Sequence, residues 1–285
     1  MEIRVGETYF KRLIVFYIPL FMFLMVMLFP FYWMLITSVK PDEILYNVRA
    51  TPFWVWPPTF DHWTYLFKET LFGRWALNTF WIATATTVLS LFCGVLAAYS
   101  LSRLRFVGST TIGVSIFVTY LVPGTLLFIP LSQIIAKFPI INLYDTPWAL
   151  ILTYPTFLVP FSTWLLMGYF KTIPKELEEC ARIDGASRIQ AMLRIVLPLS
   201  APSILSAGIF SFTLSWNEFL YALVFLSSPE QKTIPVGVVS ELIKGDVFFW
   251  GALMAGALFG SVPVAVVYSF FVEYYVSGIT GAVKG

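Results

Sequence analysis

Charge is scarce in this chain. Asp, Glu, Lys and Arg make up 12% of its 285 residues, about half the share a soluble globular domain carries. Histidine is reduced to His62 alone, which argues against a histidine-based metal site built by this chain. The only cysteines are Cys93, in an apolar run, and Cys180, in a charged one. They are far apart in sequence and in setting, so no disulfide is expected, and Cys180 reads as a small, semi-apolar helix residue. No G-x-x-x-x-G-K-[ST] loop occurs, so the chain has no means of cradling ATP phosphates itself. No internal repeat or low-complexity segment stands out.

What the chain has instead is apolar length. Hydrophobic residues make up 58% and the mean hydropathy is +0.80. Leu13 to Ile36, Trp75 to Ser102, Phe106 to Ala136, Thr146 to Phe170, Ile195 to Asn217 and Phe248 to Val272 contain no charged residue and no histidine. Crossing a bilayer core takes roughly 20 helical residues, so six spans is the natural count. Backbone hydrogen bonds must close within each span, which favours helices. An outer-membrane barrel would alternate apolar and polar residues in short segments, whereas these runs are apolar on every face. The expected fold is an all-α membrane protein, a single transmembrane domain over 1–285. Its expected spans are about 13–37, 75–102, 108–136, 146–170, 202–226 and 248–273, with a charged loop at 171–201 between the fourth and fifth. The first run is too long for a cleavable signal and lacks a small-residue cleavage site.

Basic residues set the expected orientation. With the N-terminus inside, the inner segments hold eleven (Arg4, Lys11, Arg12, Arg103, Arg105, Lys171, Lys175, Arg182, Arg188, Arg194, Lys284) and the outer segments seven. Eight acids offset the outer ones. Both termini and the charged loop are then cytoplasmic. The first outer loop, Ser38 to Arg74, carries Phe53, Trp54, Trp56, Trp63 and Tyr65, which suit a water–lipid interface, with a partner surface as the alternative. Pro123-Gly124 and Pro130 in the third run read either as a packing kink or as a helix lining a path. Ala252, Gly256 and Gly260 share one helix face and permit close packing. Glu218 lies 16 residues beyond Pro202, about 24 Å into the span. It reads as a group making an interhelical hydrogen bond or as a pathway residue, with Trp216 and Asn217 beside it offering a ring and an amide. Glu273 lies near the inner end of the sixth span.

The charged loop carries the most specific pattern. From Ile173 to Pro202 it reads IPKELEECARIDGASRIQAMLRIVLPLSAP. Thr172 and Pro174 signal a helix start, and Glu176, Glu178 and Glu179 suit a first turn. Leu177, Cys180 and Ala181 line one side. Asp184-Gly185 is a turn signal. A second helix is expected from Ala186 to about Ile195, with Ile189, Met192 and Leu193 as its apolar stripe and Pro198 as its end. A helix lying on anionic lipid is the plain alternative, but acids are mixed among the bases.

Glu179-Cys180-Ala181, three residues, Gly185, nine residues, then Ile195-x-Leu197-Pro198 resembles the "EAA…G………I-LP" signature. That signature marks the permease subunits of binding-protein-dependent ABC importers. Cys180 departs from it, standing where the pattern has alanine. Four further strings resemble the sugar-importer, maltose-type (MalG-like) branch: Ala97 to Gly108 (AAYSLSRLRFVG), IPKELEECARIDGAS, SWNEFLYALVF and the ending GITGAVKG. The resemblance implies that the loop is a coupling element docking on a cytoplasmic ATPase dimer, through Glu179, Cys180, Ala181, Asp184, Gly185, Ile195, Leu197 and Pro198. It implies that the tail, with Gly278, Gly281, Lys284 and Gly285, reaches toward that ATPase. The loop from Ser227 to Val247 would meet an extracytoplasmic solute-binding protein, and spans three to five would line a sugar path past Trp216, Asn217 and Glu218.

The implied protein is a non-enzymatic transport subunit of the cytoplasmic membrane. It has no cofactor of its own, since ATP and Mg sit on the ATPase. Its implied partners are a second, homologous permease subunit in a heterodimer, the ATPase, the binding protein, the sugar and the bilayer; no nucleic acid is implied. Two alternatives remain. An importer of glycerol phosphates would want basic residues in the spans, which hold none, and a proton-coupled secondary transporter would leave the charged loop without a task. A membrane-embedded enzyme would need more than Glu218 and Glu273 within its spans.

Overall fold

The computed structural model describes residues 9–47, 49–104, 106–137 and 142–283, with side-chain burial between 11 and 272. The chain divides into two compact units, residues 1–70 with 238–260, and residues 71–237 with 261–285.

In the first unit, α1 (Leu13–Ser38) is exposed on nearly every face until Ile36, Thr37 and Ser38 in its last turn. Pro41 stops the chain from continuing as helix. Helix α2 (Asp61–Lys68) buries Leu66. His62 on α2 sits so close to Gly251 that a Cβ there would lie 2.3 Å from the imidazole. Tyr65 stacks on Phe249 at 5.8 Å. The small residues Ala252, Ala255 and Gly256 are buried, as the spacing predicted for close packing, while Gly260 is half-buried.

The second unit is a helical bundle. Helix α3 (Phe72–Arg103) is its central strut, packed along α6 (Pro147–Thr172) and α9 (Ala201–Trp216). Small residues let these three approach: a Cβ on Gly94 would stand 2.9 Å from Ser162 Cβ. The hydroxyls of Ser162 and Ser211 meet at 3.2 Å and those of Thr86 and Ser215 at 2.8 Å. Such side-chain hydrogen bonds between small residues hold helices together where lipid removes the hydrophobic drive.

Among the described residues, four helices are long and apolar enough to cross a bilayer: α1, α3, α6 and α12 (Trp250–Val283), the last over Trp250–Val272. The other two expected spans are broken. The third is α4 (Ser109–Tyr120) and α5 (Gly124–Ala136), meeting at 97°. Pro123 is extended, at φ −57° and ψ 125°, because a proline has no N–H to continue a helix. The sequence-level kink is therefore a corner. The fifth is interrupted by residues 217–219, between α9 and α10 (Leu220–Phe225). Helix α11 (Ile234–Leu242) and a two-residue hairpin, β1 (Ile243–Lys244) with β2 (Val247–Phe248), lead into α12. Helix α12 continues through Gly278 and Gly281 to Val283, about 51 Å at 1.5 Å per residue and longer than a bilayer core. Lys284 and Gly285, and the side chain of Glu273, lie outside the described residues.

Candidate functional site

The charged loop folds as two helices, α7 (Glu176–Ile183) and α8 (Arg188–Leu199), around a tight turn. Gly185 takes φ +88°, the left-handed conformation that side chains resist, and Ala186 N–H closes the turn on Ala181 O at 2.9 Å. Ser187 then caps α8. Its hydroxyl accepts from Gln190 N–H at 3.2 Å, and Gln190 Oε1 accepts from Ser187 N–H at 2.8 Å. That reciprocal box is legible in Ser-x-x-Gln, and the sequence reading missed it. Pro198 does not end α8. A π-turn over Met192–Val196 widens the helix just before the proline, and the helix runs on to Leu199. The chain then bends by 76° into α9.

Burial in this hairpin does not follow the two apolar stripes. The side of α7 turned inward carries Glu178, while Leu177 and Cys180 are exposed and Ala181 is half-buried. On α8, Met192 is buried with Ala191 and Val196, whereas Ile189 and Leu193 point outward. Leu177, Ile183, Ile189 and Leu193 are thus exposed large apolar side chains, set among the exposed Glu176, Glu179, Arg182 and Arg188. Period alone could not separate the two faces, because each helix is short and the residue that α7 turns inward is a glutamate.

Glu178 is the hinge pin of the arrangement. Arg103, last residue of α3, places Nε 3.0 Å from Glu178 Oε1 and donates from Nη2 to Ile173 O at 2.8 Å. Tyr99, one turn earlier, donates its hydroxyl to Glu178 Oε2 at 2.9 Å. The arginine and glutamate side chains are 3% and 12% exposed. Met192 and Val196 complete the junction, packed with Ala98, Tyr99, Leu166 and Phe170. The hairpin is therefore fastened to the ends of α3 and α6 by a desolvated ion pair and an apolar cluster.

Of the sequence-predicted coupling residues, Glu179, Cys180, Asp184, Gly185 and Pro198 are exposed, and Ala181, Ile195 and Leu197 are half-buried. A concavity of about 430 Å³ opens in the crook of the hairpin, lined by Ala181, Asp184, Gly185, Gln190, Arg194 and Ile195.

The second predicted cluster does not stay together. Trp216 is buried, its ring 5.5 Å from Phe212. Asn217 is exposed and donates Nδ2 to Thr213 O at 2.9 Å. Glu218 caps the first turn of α10: its carboxylate accepts from Tyr221 N–H at 2.9 Å, Ala222 N–H at 3.1 Å and the Tyr154 hydroxyl at 2.8 Å. A partner for Glu218, invisible in the sequence, is thus supplied from α6. Tyr221 in turn donates to Gly124 O at 3.1 Å, tying the start of α5 to the same cluster.

The loop after α10 is stapled down. Asp145, at φ +60°, donates its N–H to Phe225 O at 2.9 Å and accepts at Oδ1 from the N–H groups of Ser227 and Ser228, both at 2.8 Å. The Ser228 hydroxyl donates to Asp145 Oδ2. Burial pushes this carboxyl up, but the hydrogen bonds from Ser228 and Ser227 outweigh it and hold the group below the ordinary aspartate value. Farther along, Trp75 Nε1 donates to Pro229 O at 2.8 Å, and Asn78 Nδ2 donates to Glu230 O at 2.8 Å and Lys232 O at 3.0 Å. Ile234 N–H donates to Thr79 Oγ1 at 2.8 Å. Asp145, Trp75 and Asn78 were not singled out in the sequence, where nothing marks which loop each would reach.

Among the described residues, no group of three His, Cys, Asp or Glu side chains is placed to hold a metal ion.

Comparison with known proteins places this geometry. The family described as binding-protein-dependent transport system inner membrane component matches residues 90–281. The chain is similar to the inner membrane ABC transporter permease protein YcjP of Escherichia coli (strain K12), 37% identical over 276 residues, 95% of this chain and 96% of that protein. It is also similar to the trehalose/maltose transport system permease protein MalG of Thermococcus litoralis, 34% identical over 262 residues, 90% of this chain and 92% of that protein. In three dimensions it resembles a chain of a bacterial ABC transporter involved in the import of the acidic polysaccharide alginate. The TM-score is 0.79 over 95% of this chain and 100% of that one, and the identity of 21% makes this a likeness of fold.

Proposed function

The chain belongs to the binding-protein-dependent transport system inner membrane component family, the permease subunits of ABC importers, and from that premise we propose that it passes a sugar, a di- or oligosaccharide, from a solute-binding protein to the cytoplasm. The sugar rests on relatives such as the trehalose/maltose permease. Passage is by alternating access, driven by a separate ATPase dimer on which ATP and Mg sit. A second, homologous permease subunit completes the path. The chain lies in the cytoplasmic membrane with both termini inside.

One observation carries the reading: the hairpin is fixed to the bundle through Glu178, Met192 and Val196 and exposes four large apolar side chains among its charges. Its outer surface, Leu177, Ile183, Ile189 and Leu193, and the adjoining concavity suit a docked partner. Its inner surface is placed to transmit force, because the Arg103–Glu178 ion pair and the Met192–Val196 cluster join α7 and α8 to the end of α3. ATPase closure would carry the hairpin as a rigid body and re-pack α3, α6 and α9 between two states. At the other end of the path, the break at residues 217–219 leaves Asn217 exposed while Glu218 holds α10 in place. Asp145, Trp75 and Asn78 make the loop beyond α10 a firm platform, suited to receiving the solute-binding protein.

The test is reconstitution of the permease pair with its ATPase and solute-binding protein in proteoliposomes. Radiolabelled maltose, trehalose or a longer oligosaccharide is expected to enter and to stimulate ATP hydrolysis. Stimulation by glycerol phosphate, with none by any saccharide, would overturn the sugar assignment.

A further inference from the structure

A second, separate site lies in the first unit. Lys40, two residues beyond the end of α1, is 5% exposed. Its backbone is held on both sides: His62 Nε2 lies 2.8 Å from Lys40 O, and Thr59 N–H donates to Val39 O at 2.8 Å. Its ammonium donates to Thr51 O at 3.2 Å and Pro52 O at 3.1 Å. An ammonium has three donors, so two carbonyls leave one unused. Among the described residues, no carboxylate stands within ion-pair distance of it; Asp42, the nearest in sequence, faces His62 at 3.7 Å instead. Burial alone draws this lysine below its ordinary value. A buried cation without a counter-charge is costly, and a ligand that brings one removes that cost.

Lys40 is among the residues that line a cavity of about 520 Å³. Its walls are amphipathic: Trp33, Tyr46 and Trp250 supply rings, Leu45 and Met254 aliphatic surface, and Asn47 an amide. Trp33 belongs to the exposed apolar face of α1, so the cavity opens onto a surface that lipid chains would cover. Tryptophans at that level are the usual marks of the headgroup zone. One fixed positive charge, a free donor, aromatic walls and an apolar approach together describe the polar end of a lipid.

We propose that this cavity binds one anionic glycerophospholipid, its phosphate paired with the Lys40 ammonium and its acyl chains lying along α1. A net charge of −1 is what the site lacks, and a zwitterionic headgroup brings its own cation and compensates the lysine less well. Under the orientation proposed above, the lipid belongs to the outer leaflet. The site is independent of the sugar and of the coupling hairpin.

The probe is phosphatidylglycerol, added to the purified transporter complex and followed by native mass spectrometry. The wild-type complex is expected to retain one phosphatidylglycerol that a Lys40→Met complex loses, its retention falling about tenfold or more with the charge-assisted hydrogen bond gone. Lys40→Arg should keep the lipid. Equal retention by wild type and Lys40→Met would overturn the site, as would displacement of the lipid by millimolar inorganic phosphate alone. If Lys40→Met fails to assemble, the wild-type complex decides: phosphatidylglycerol with a photoreactive headgroup should label peptides within 33–52 and 250–254. Labelling confined to other segments would refute the proposal. Sugar-stimulated ATP hydrolysis in Lys40→Arg should match wild type, which separates failure of this site from failure of the transport reading.

Discussion

Replacing Glu178 by methionine removes one half of a desolvated ion pair and leaves the other half behind. The Arg103 guanidinium would keep Ile173 O as acceptor, and the Tyr99 hydroxyl would lose its carboxylate. Stranding one partner of a buried pair costs about 3–5 kcal/mol. Glu178 is 12% exposed against 3% for Arg103, so water relieves a little of that cost and the lower end applies, about 3 kcal/mol. At about 1.4 kcal/mol per decade, opening of the hairpin from α3 becomes about a hundredfold more frequent. Amide hydrogen exchange over residues 176–183 in the purified complex reads this directly. The double variant Arg103→Met/Glu178→Met replaces both charges by apolar side chains of similar length, which is often near neutral, so protection should largely return. The coupling free energy from that cycle is the quantity of interest. In the single variant, ATP hydrolysis should also lose its dependence on the binding protein and sugar. Unchanged exchange in Glu178→Met, or a double variant as open as the single one, would refute the latch.

Three further outcomes follow from particular contacts. Gly185→Val meets no crowding at its Cβ, but φ +88° is closed to a β-branched residue. A strain of about 1–2 kcal/mol in the turn should let ATP hydrolysis proceed with less sugar uptake per ATP, and wild-type stoichiometry would sink the docking role. Asp145 has a depressed folded-state value, so its contribution to the 227–228 clamp is present above the ordinary aspartate range and is lost as pH falls through that lower value. Exchange protection of the Ser227 and Ser228 amides should therefore drop on acidification below about pH 4, and Asp145→Asn should show low protection at every pH; a pH-independent wild type would contradict this. Gly237→Ala would drive a methyl to 2.3 Å from the Trp75 ring. It should lower the melting temperature, at a cost of about 1–3 kcal/mol, and weaken capture of the solute-binding protein; full stability would show that the ring yields.

The spans at 13–38, 72–103, 147–172 and 250–272 were legible because each contains a long run without charge, whereas the third and fifth are broken. The hairpin turn was legible for a similar reason: Asp184-Gly185 admits few conformations other than the one found. The corner at Pro123 was half legible. Proline announces a disruption, but whether it kinks or turns a helix depends on what packs beyond it. The buried residue of α7 was not legible: hydrophobicity puts Leu177, Cys180 and Ala181 on one side, while the inward residue is Glu178. A glutamate reads as solvent-facing until its partner is known, and that partner lies 75 positions away in Arg103. The same holds for Glu218 with Tyr154 and for Asp145 with Ser228. Each is a polar contact whose two halves are separated by a whole helix, and no periodicity encodes such a pairing. Trp216, a pathway candidate by resemblance, is buried with its ring 5.5 Å from that of Phe212.

The use of an ion pair rather than an apolar contact under the hairpin has a mechanical reason. Leucines on a helix face tolerate small slips, because the apolar area buried changes little with register. The Arg103 guanidinium pairs with Glu178 by charge, without hydrogen-bond alignment between Nε and Oε1, while donating to Ile173 O beside a Tyr99 hydroxyl on the same carboxylate, and leaving that place strands a charge away from water. The attachment is stiff for that reason even where it adds little net stability. Stiffness is what a part that transmits displacement needs, whereas the outer face, meeting a partner, needs area. The hairpin accordingly divides its chemistry, with Arg103, Glu178 and Tyr99 inward and Leu177, Ile183, Ile189 and Leu193 outward. An apolar substitution at the inner pair should on this reasoning preserve folding while softening the link between ATP hydrolysis and uptake. The double methionine variant separates the two: restored exchange protection with coupling still impaired assigns the pair to force transmission, and full recovery of both assigns it to stability alone.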